Sequence, residues 1–254
     1  MQKKFTKFTV YVLVFCLSVL SINAQAMSYS WYCMPGKNNE QPDSYEAKNF
    51  IDNYNAIYLG NKDEKAVYLT FDAGYENGNV EKILDVLKKH NAPGAFFVLP
   101  NLIKNNTDLV KRMANEGHLV CNHTKSHRDM SKISDIEKFK EELLSLEETY
   151  KEYTGEEMSK FYRPPEGRFS EENLKFADQL GYTTVFWSLA YADWDNNKQM
   201  PCDKAKNLIL SRIHNGCVLL LHPTSATNAN ILDDLLTELE NRGYTFKSLQ
   251  DFKK

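Results

Sequence analysis

The chain has 254 residues, of which 42% are hydrophobic and 26% are charged, and its formal net charge is −3. These proportions are ordinary for a globular protein. The slightly negative charge, without a long basic tract, argues against a nucleic-acid partner.

The first residues have the three parts of a secretory signal peptide. Three lysines among the first seven residues precede an apolar run from Phe8 to Leu20, and Ala24-Gln25-Ala26 follows it. A basic start, a short apolar segment and an A-x-A site predict cleavage before Met27 and export of the mature chain. The alternative is an uncleaved anchor, although the run is shorter than the roughly 20 apolar residues of a membrane span.

Cleavage there leaves enough chain for one large domain. Residues 27–64 are polar and irregular, and we expect them to form an N-terminal extension on a domain that spans residues 65–254. The extension contains Tyr29, Trp31 and Tyr32, and we expect these rings to pack on the domain surface.

Four cysteines lie beyond the predicted cleavage site, namely Cys33, Cys121, Cys202 and Cys217. They show no C-x-x-C spacing, which argues against a zinc knot. Export permits disulfides, but a domain of this size does not need them. Cys121 and Cys217 lie in apolar, strand-like sequence, where we expect buried thiols.

Amphipathic segments alternate with short apolar runs along the chain. Helices are predicted at 43–54, 79–90, 107–116, 134–153, 170–180, 203–214 and 231–242. Strands are predicted at 67–72, 94–99, 118–122, 161–163, 183–187, 217–221 and 244–246. In the longest helix, Ser134 is the expected N-cap and Gly155 the expected stop.

This alternation predicts parallel strands covered by helices. The fold class is therefore α/β, with about seven parallel strands in a closed or nearly closed β/α barrel; a doubly wound open sheet is the alternative. No G-x-G-x-x-G follows a strand, which argues against a nucleotide cofactor.

Five predicted strands end at or run into residues that can do chemistry. These residues are Asp72, His123 with His127, Arg163, Asp193 and His222. In parallel β/α folds the loops after the strands build the active site, so we expect these side chains to share one face. A cap or a surface ion pair is the simpler interpretation of any one of them, but five together indicate a functional site.

The residue types suggest a metal-assisted hydrolase. His123 and His127 are four apart, so one helical turn would bring both imidazoles to the same side, and Asp72 would complete a set of two histidines and a carboxylate. Such a set suits zinc, which lowers the pKa of a bound water to about 7. The H-x-x-x-H spacing alone is weak evidence, since a surface pair is the commoner explanation.

The remaining strand-end residues suit acid–base chemistry. His222 is the predicted general acid, and Asp193 would hold its imidazole and raise its pKa. Arg163 would orient Asp72 and lower its pKa. Tyr75, Trp187 and Trp194 are candidates for an aromatic wall against a sugar ring, with a plain core role as the alternative. No G-x-S-x-G elbow is present, which argues against a serine hydrolase.

Five sequence motifs carry a resemblance to a known family. They are T-F-D-A-G at 70–74, H-T-K-S-H at 123–127, R-P-P at 163–165, A-D-W at 192–194 and L-L-L-H at 219–222. In type and order they resemble the motifs of the NodB-type polysaccharide deacetylases, carbohydrate esterase family 4. The resemblance implies a distorted (β/α) barrel, the NodB homology fold, and hydrolysis of an N-acetyl group from an amino sugar.

The resemblance implies a role for each residue of this chain that matches one of the family's motifs. Asp72 matches the catalytic base, Arg163 the residue that orients it, and His222 the acid with Asp193 as its partner. His123 and His127 match metal ligands, and Pro165 joins the aromatic residues as a predicted substrate contact. Most of the family has a second carboxylate after the base, where this chain has Ala73, so the resemblance implies a weaker site for zinc or another divalent metal.

A narrower resemblance points to one branch. With Y-E-N-G at 75–78, Y-S-W-Y at 29–32 and T-F-K-S-L at 245–249, the chain is similar to the delta-lactam-biosynthetic de-N-acetylases of spore-forming bacteria. These act on N-acetylmuramic acid in peptidoglycan strands after an amidase has removed the peptide, which leads to muramic delta-lactam in the spore cortex. Relatives usually have a basic residue after R-P-P, whereas this chain has Glu166, with Arg168 two positions on.

The branch and the signal peptide together predict a protein of the cell wall or of the space around the developing spore. Two other functions remain open. One is deacetylation of N-acetylglucosamine in peptidoglycan or chitin-type glycans. The other is an inactive glycan-binding relative, which Ala73 suggests and the retained acid–base residues oppose.

Overall fold

The computed structural model describes residues 27–36, 39–44 and 46–252. The predicted signal peptide lies outside these residues. No helix within them is long and apolar enough to cross a membrane.

A sheet of parallel strands forms the centre of the described chain. Together with those of two small antiparallel sheets, the strands are β1 (Ser28–Ser30), β2 (Cys33–Met34), β3 (Asp43–Ser44), β4 (Ala56–Ile57), β5 (Ala66–Ala73), β6 (Gly94–Val98), β7 (Leu119–Asn122), β8 (Ser159–Tyr162), β9 (Arg168–Ser170), β10 (Thr183–Val185), β11 (Cys217–Leu221) and β12 (Thr245–Phe246). The two small sheets are β1-β9 and β2-β3. The main sheet has the order β11-β5-β6-β7-β8-β10-β4, with β12 beside β5.

The sheet curls so that its two edges approach each other. Leu59, just after β4, forms a bridge with Cys217, and Leu189, after β10, forms one with Leu219. All neighbouring strands of the main sheet are parallel. The predicted distorted β/α barrel of about seven parallel strands is thereby confirmed, and the doubly wound open sheet was the wrong alternative.

Helices cover the outside of the curled sheet. They are α1 (Val80–Lys89), α2 (Pro100–Asn105), α3 (Thr107–Asn115), α4 (Ile136–Thr154), α5 (Glu171–Gln179), α6 (Cys202–Arg212) and α7 (Ala226–Asn241). Their apolar stripes and the outward side chains of the strands form the largest apolar cluster. The predicted stop at Gly155 is confirmed, because this residue has the left-handed φ of 82° that favours glycine.

Three predictions about helices need correction. The predicted helix at 43–54 is wrong: Asp43–Ser44 pairs with Cys33–Met34 as a strand, and only one 3₁₀ turn follows at Ile51–Asn53. Helix α4 is capped by Asp135, whose side chain accepts from the backbone of Lys138, rather than by Ser134. The helix predicted at 231–242 begins earlier, at Ala226, because Ser225 caps it by accepting from the backbone N–H of Asn228.

Alternation along β5 determines which side chains reach the mouth of the barrel. Val67, Leu69 and Phe71 face the helices, whereas Ala66 and Tyr68 belong to the inner cluster. Side chains in a strand alternate with period two, so Thr70 and Asp72 continue the inner row. Asp72 therefore stands at the carboxyl end of a central strand and points into the barrel.

The N-terminal segment is part of the folded structure. Strand β1 pairs antiparallel with β9, and the Trp31 ring stacks on Phe186 with 4.2 Å between centroids. The Trp31 indole N–H also donates to the carbonyl of Trp187 at 2.8 Å. Of the predicted aromatic group, Trp31 is buried and Tyr32 is exposed.

The cysteines are free thiols in the part of the chain that the structure describes. Cys121 and Cys217 are buried, as predicted, and burial raises the pKa of Cys217 to about 12.

Candidate active site

Arg163 lies under the centre of the barrel mouth. Its NH1 donates to Oδ1 of Asp72 at 2.7 Å, and its NH2 donates to the hydroxyl of Thr70 at 2.8 Å. Its Nε donates to the carbonyl of Val185, and NH2 also donates to the carbonyl of Phe186. These bonds hold the fully buried guanidinium rigidly, so it fixes the orientation of the Asp72 carboxylate.

The surroundings of Asp72 favour its ionised form. Burial alone would raise the pKa of Asp72, but the charge of Arg163, with smaller contributions from His123 and His222, outweighs it and holds the pKa below its ordinary value. The side chain is only 10% exposed. Asp72 is therefore an ionised carboxylate at neutral pH, as proton acceptance and metal binding both require.

His123 presents one ring nitrogen to Asp72. Its Nδ1 lies 2.9 Å from the carbonyl oxygen of Arg163, so Nδ1 carries the proton and Nε2 has a lone pair. Burial lowers the pKa of His123 to about 4, although the nearby Asp72 opposes this. A neutral imidazole whose second nitrogen donates to a carbonyl is the form that binds metals.

The segment from His123 to His127 is a loop, so the predicted helical turn is wrong. Thr124 and His127 have φ values of 71° and 52°, which lie in the left-handed region. The loop still brings the two imidazoles together, with ring centroids 5.0 Å apart and the rings edge to face. The spacing thus predicted proximity correctly and the backbone conformation incorrectly.

Glu142 holds this loop in place. Its carboxylate accepts from the backbone N–H of Ser126 at 3.0 Å and from the Ser126 hydroxyl at 2.8 Å. The backbone carbonyl of Glu142 accepts from Lys125. Glu142 belongs to α4 and is buried. Sequence reasoning missed it, because it reads as an ordinary acidic residue of an amphipathic helix.

Two of the three predicted metal ligands, Asp72 and His123, are spaced as ligands of one ion. Nε2 of His123 and Oδ2 of Asp72 lie 3.6 Å apart. This is too far for a hydrogen bond and fits two ligands that share an ion at about 2.0–2.2 Å each. Ala73 offers no ligand atom. Across residues 27–36, 39–44 and 46–252, no group of three histidine, cysteine, aspartate or glutamate residues has metal-site geometry.

His222 and Asp193 form a second imidazole–carboxylate pair at the mouth. Nδ1 of His222 lies 2.7 Å from Oδ1 of Asp193, and the backbone N–H of His222 donates to Oδ2 at 2.8 Å. Burial lowers the pKa of His222, but the hydrogen bond and charge of Asp193, helped by Asp72, raise it above its ordinary value. The raised pKa favours the protonated form of His222, which is the form that can donate a proton.

A pocket of about 680 Å³ connects the two pairs. Asp72, His123, His127 and His222 all line it, whereas Arg163 lies beneath it. Its size is that of a small-molecule or sugar site.

Aromatic side chains form much of the pocket wall. Tyr75, Trp187 and Trp194 all line the pocket, as does Glu166. Trp194 is 63% exposed and Tyr75 is 43% exposed. Large exposed rings beside polar groups suit stacking against a sugar face. Pro165 is buried and is absent from the lining.

An acid–base pair and imidazole ligands at the mouth of a β/α barrel are the arrangement of a hydrolase. Comparison of the sequence with protein families shows which kind of hydrolase this is. Residues 59–185 match the polysaccharide deacetylase family model, and the chain belongs to this family.

Two curated relatives and one solved structure resemble the chain over most of its length. Peptidoglycan-N-acetylmuramic acid deacetylase PdaA of Bacillus subtilis is 44% identical over 223 residues, which is 87% of this chain and 84% of PdaA. The structure of PdaA, described as a family 4 carbohydrate esterase, has a TM-score of 0.84 at 43% identity and covers 89% of this chain and 96% of its own. A peptidoglycan-N-acetylglucosamine deacetylase of Bacillus cereus is 32% identical, over 81% of this chain and 74% of its own length.

Proposed function

We propose that the protein removes the acetyl group of N-acetylmuramic acid in peptidoglycan strands whose peptides have been stripped. The observation that carries this proposal is the shared pocket of Asp72 and His222, an ionised carboxylate and a proton donor with separate hydrogen-bond partners. The 44% identity to PdaA supports the choice of sugar.

Asp72 acts as the general base. Its carboxylate accepts a proton from the water that attacks the amide carbon of the acetyl group, while Arg163 holds it in place. A divalent cation, with zinc as the expected metal, would be held by Asp72 and His123, with His127 in the same pocket as the candidate third ligand, and would supply positive charge that polarises the acetyl carbonyl.

His222 acts as the general acid. It donates a proton to the sugar nitrogen as the C–N bond breaks, and Asp193 stabilises the imidazolium from which that proton comes. The products are acetate and a free amine on the sugar ring. In muramic acid, this amine and the lactyl carboxylate are the two functional groups that join to form a delta-lactam.

The proposed setting follows from the substrate. An amidase that removes the peptide has to act first, because only then is the lactyl carboxylate free. The A-x-A site predicted at residues 24–26 supports export of the protein, and the resemblance to the delta-lactam-biosynthetic de-N-acetylases supports a role in the spore cortex.

Acetate release from peptide-stripped peptidoglycan tests the proposal. Intact peptidoglycan and chitin oligomers serve as comparison substrates, each with and without a chelator and with Asp72→Asn as the inactive control. We expect the most acetate from the stripped strands, with a deacetylated muramic product by mass spectrometry. A loss of turnover with chelator would support the metal.

Deacetylation of N-acetylglucosamine is the second candidate, and Glu166 favours it. Glu166 is exposed in the pocket, and no lysine or arginine lines the pocket among the described residues. A negative side chain there opposes a lactyl carboxylate, although Arg168 pairs with Glu166 at 3.0 Å. Faster turnover of chitin oligomers than of stripped strands would replace the first candidate with this one.

An inactive glycan-binding protein is the third candidate, and Ala73 is the residue that favours it. In that case, folded protein with zinc supplied would release no acetate from any glycan and would still bind stripped strands.

A further inference from the structure

Asn228 is a buried residue at the start of α7 that contacts both members of the Asp193–His222 pair. Its Nδ2 donates to Oδ2 of Asp193 at 2.6 Å and to the main-chain carbonyl of His222 at 3.0 Å. Its Oδ1 accepts from the hydroxyl of Tyr191, which fixes the orientation of the amide. The side chain is fully buried, so water cannot readily replace a lost partner.

These contacts hold the Asp193 carboxylate in one rotation. Oδ2 accepts from Asn228 and from the backbone of His222, which leaves Oδ1 for the imidazole Nδ1. Without the amide, Oδ2 would keep only the His222 backbone donor, and the carboxylate could turn. The imidazole would then lose the fixed orientation in which it lines the pocket.

The start of α7 also holds the loop that carries Asp193. Nε2 of Gln199 donates to the Asp193 carbonyl at 3.1 Å, and Oε1 of Gln199 accepts from Ser225, the N-cap of α7. The first turn of α7 therefore joins this loop to the end of β11, where His222 lies.

We propose that Asn228 is a positioning residue: it fixes the Asp193 carboxylate and, through it, the imidazole of His222. Its effect on turnover rests on the proposed function. Its effect on the Asp193–His222 hydrogen bond does not, because that bond is observable without substrate.

Asn173 provides a matched control at the start of α5. Both asparagines are buried, and each lies three residues after a serine N-cap whose side chain accepts from its backbone N–H. The Asn173 side chain bonds outside the active site, because Oδ1 accepts from the Ser170 backbone and Nδ2 donates to the Ile133 carbonyl. Alanine at either position removes a buried amide, but only at 228 does the change affect the imidazole.

The first readout is the proton NMR signal of the His222 Nδ1–H, which a hydrogen bond to a carboxylate moves downfield. His222→Gln identifies the signal by abolishing it. We expect Asn228→Ala to broaden or lose the signal and Asn173→Ala to retain it. A signal unchanged in Asn228→Ala, or absent from the unmodified protein, would overturn the proposal.

The second readout is acetate release. We expect Asn228→Ala to lower kcat about 10- to 100-fold with little change in KM, as expected for a misoriented catalytic group. In an Asp193→Asn background the same change should add almost nothing, because Asn228 acts through Asp193. Fully additive losses would show a merely structural role. If no glycan is turned over, the proposed function fails, and the NMR result still decides the role of Asn228.

Discussion

Two histidines of the described chain are hydrogen-bonded to carboxylates, one at the barrel mouth and one between two outer helices. His222 bonds to Asp193 through Nδ1, and its ring lines the pocket. His90 ends α1 and uses both ring nitrogens on α7, with Nε2 2.8 Å from Asp233 and Nδ1 3.0 Å from Glu240. Carboxylates raise the pKa of both imidazoles above the ordinary value.

The two histidines differ in whether the second ring nitrogen has a hydrogen-bond partner. No hydrogen bond to Nε2 of His222 is formed by the residues that the structure describes, so this nitrogen can exchange a proton with a ligand in the pocket. Both ring nitrogens of His90 already contact carboxylates of α7, so a positive charge on His90 only helps to hold α1 and α7 together. A raised pKa therefore indicates a catalytic group only where a free nitrogen faces a pocket.

The same substitution at both histidines tests this comparison most strongly. We expect His222→Gln to lower kcat/KM about 10²–10⁴-fold, because the proton donor is lost. His90→Gln should leave kcat/KM within about twofold. Acetate release measures both. Similar losses at the two positions would show that the imidazoles act alike and that the comparison is wrong.

Removing the carboxylate from the active pair should have the next largest effect. Asp193→Asn leaves His222 without its anionic partner, so we expect kcat to fall about 10²-fold. His222 must be protonated to act, so activity is lost as pH rises through its raised pKa. The variant lowers that pKa, and the alkaline limb of the pH–rate profile should move to lower pH. An unmoved limb would assign it to another group.

The His90 pair should affect stability and depend on pH. Because the folded-state pKa of His90 is raised, its contribution is complete below the unfolded value of about 6.5 and is lost as pH rises through the folded value. We expect His90→Gln to lower Tm by about 2–4 °C near pH 6 and to have little effect near pH 9. Calorimetry at both pH values tests this, and an equal loss at both would exclude charge as the cause.

Lys89 should give the smallest effect. Its ammonium group shares Asp233 with His90, at 2.6 Å from Oδ1, but its side chain is largely exposed. We expect Lys89→Ala to change Tm by less than about 2 °C, and added salt to remove the difference. A larger loss that persists in high salt would mean that Lys89 contributes by packing.

The fold and the positions of the main site residues could be predicted from sequence, because strands that end on Asp72, His123, Arg163 and His222 have clear apolar patterns. The residues that position them could not. Asn228 and Asn173 follow serine caps in the same S-x-x-N pattern, yet only one reaches the active site, because only α7 begins beside the Asp193 loop. Tertiary neighbours, which no local pattern encodes, decide that difference.

The loop from His123 to His127 shows the same limit. The four-residue spacing predicted adjacent imidazoles correctly, but it could not show that left-handed residues and Glu142 produce this arrangement. The predicted helix at 43–54 was wrong because Asp43–Ser44 pairs as a strand with Cys33–Met34, which a helical pattern read along 43–54 could not show.

The pairing of the N-terminal segment with distant strands has a consequence for the order of folding. Trp31 donates to a carbonyl 156 residues further along the chain. During synthesis from the amino end, the segment therefore emerges long before its docking partners exist. Closing so long a loop costs little more free energy than closing a short one, but such distant contacts form slowly. Docking of Trp31 against Trp187, which lines the pocket, is thus expected among the last folding events. Burial of the Trp31 indole should be visible as a late phase in the fluorescence of the refolding protein.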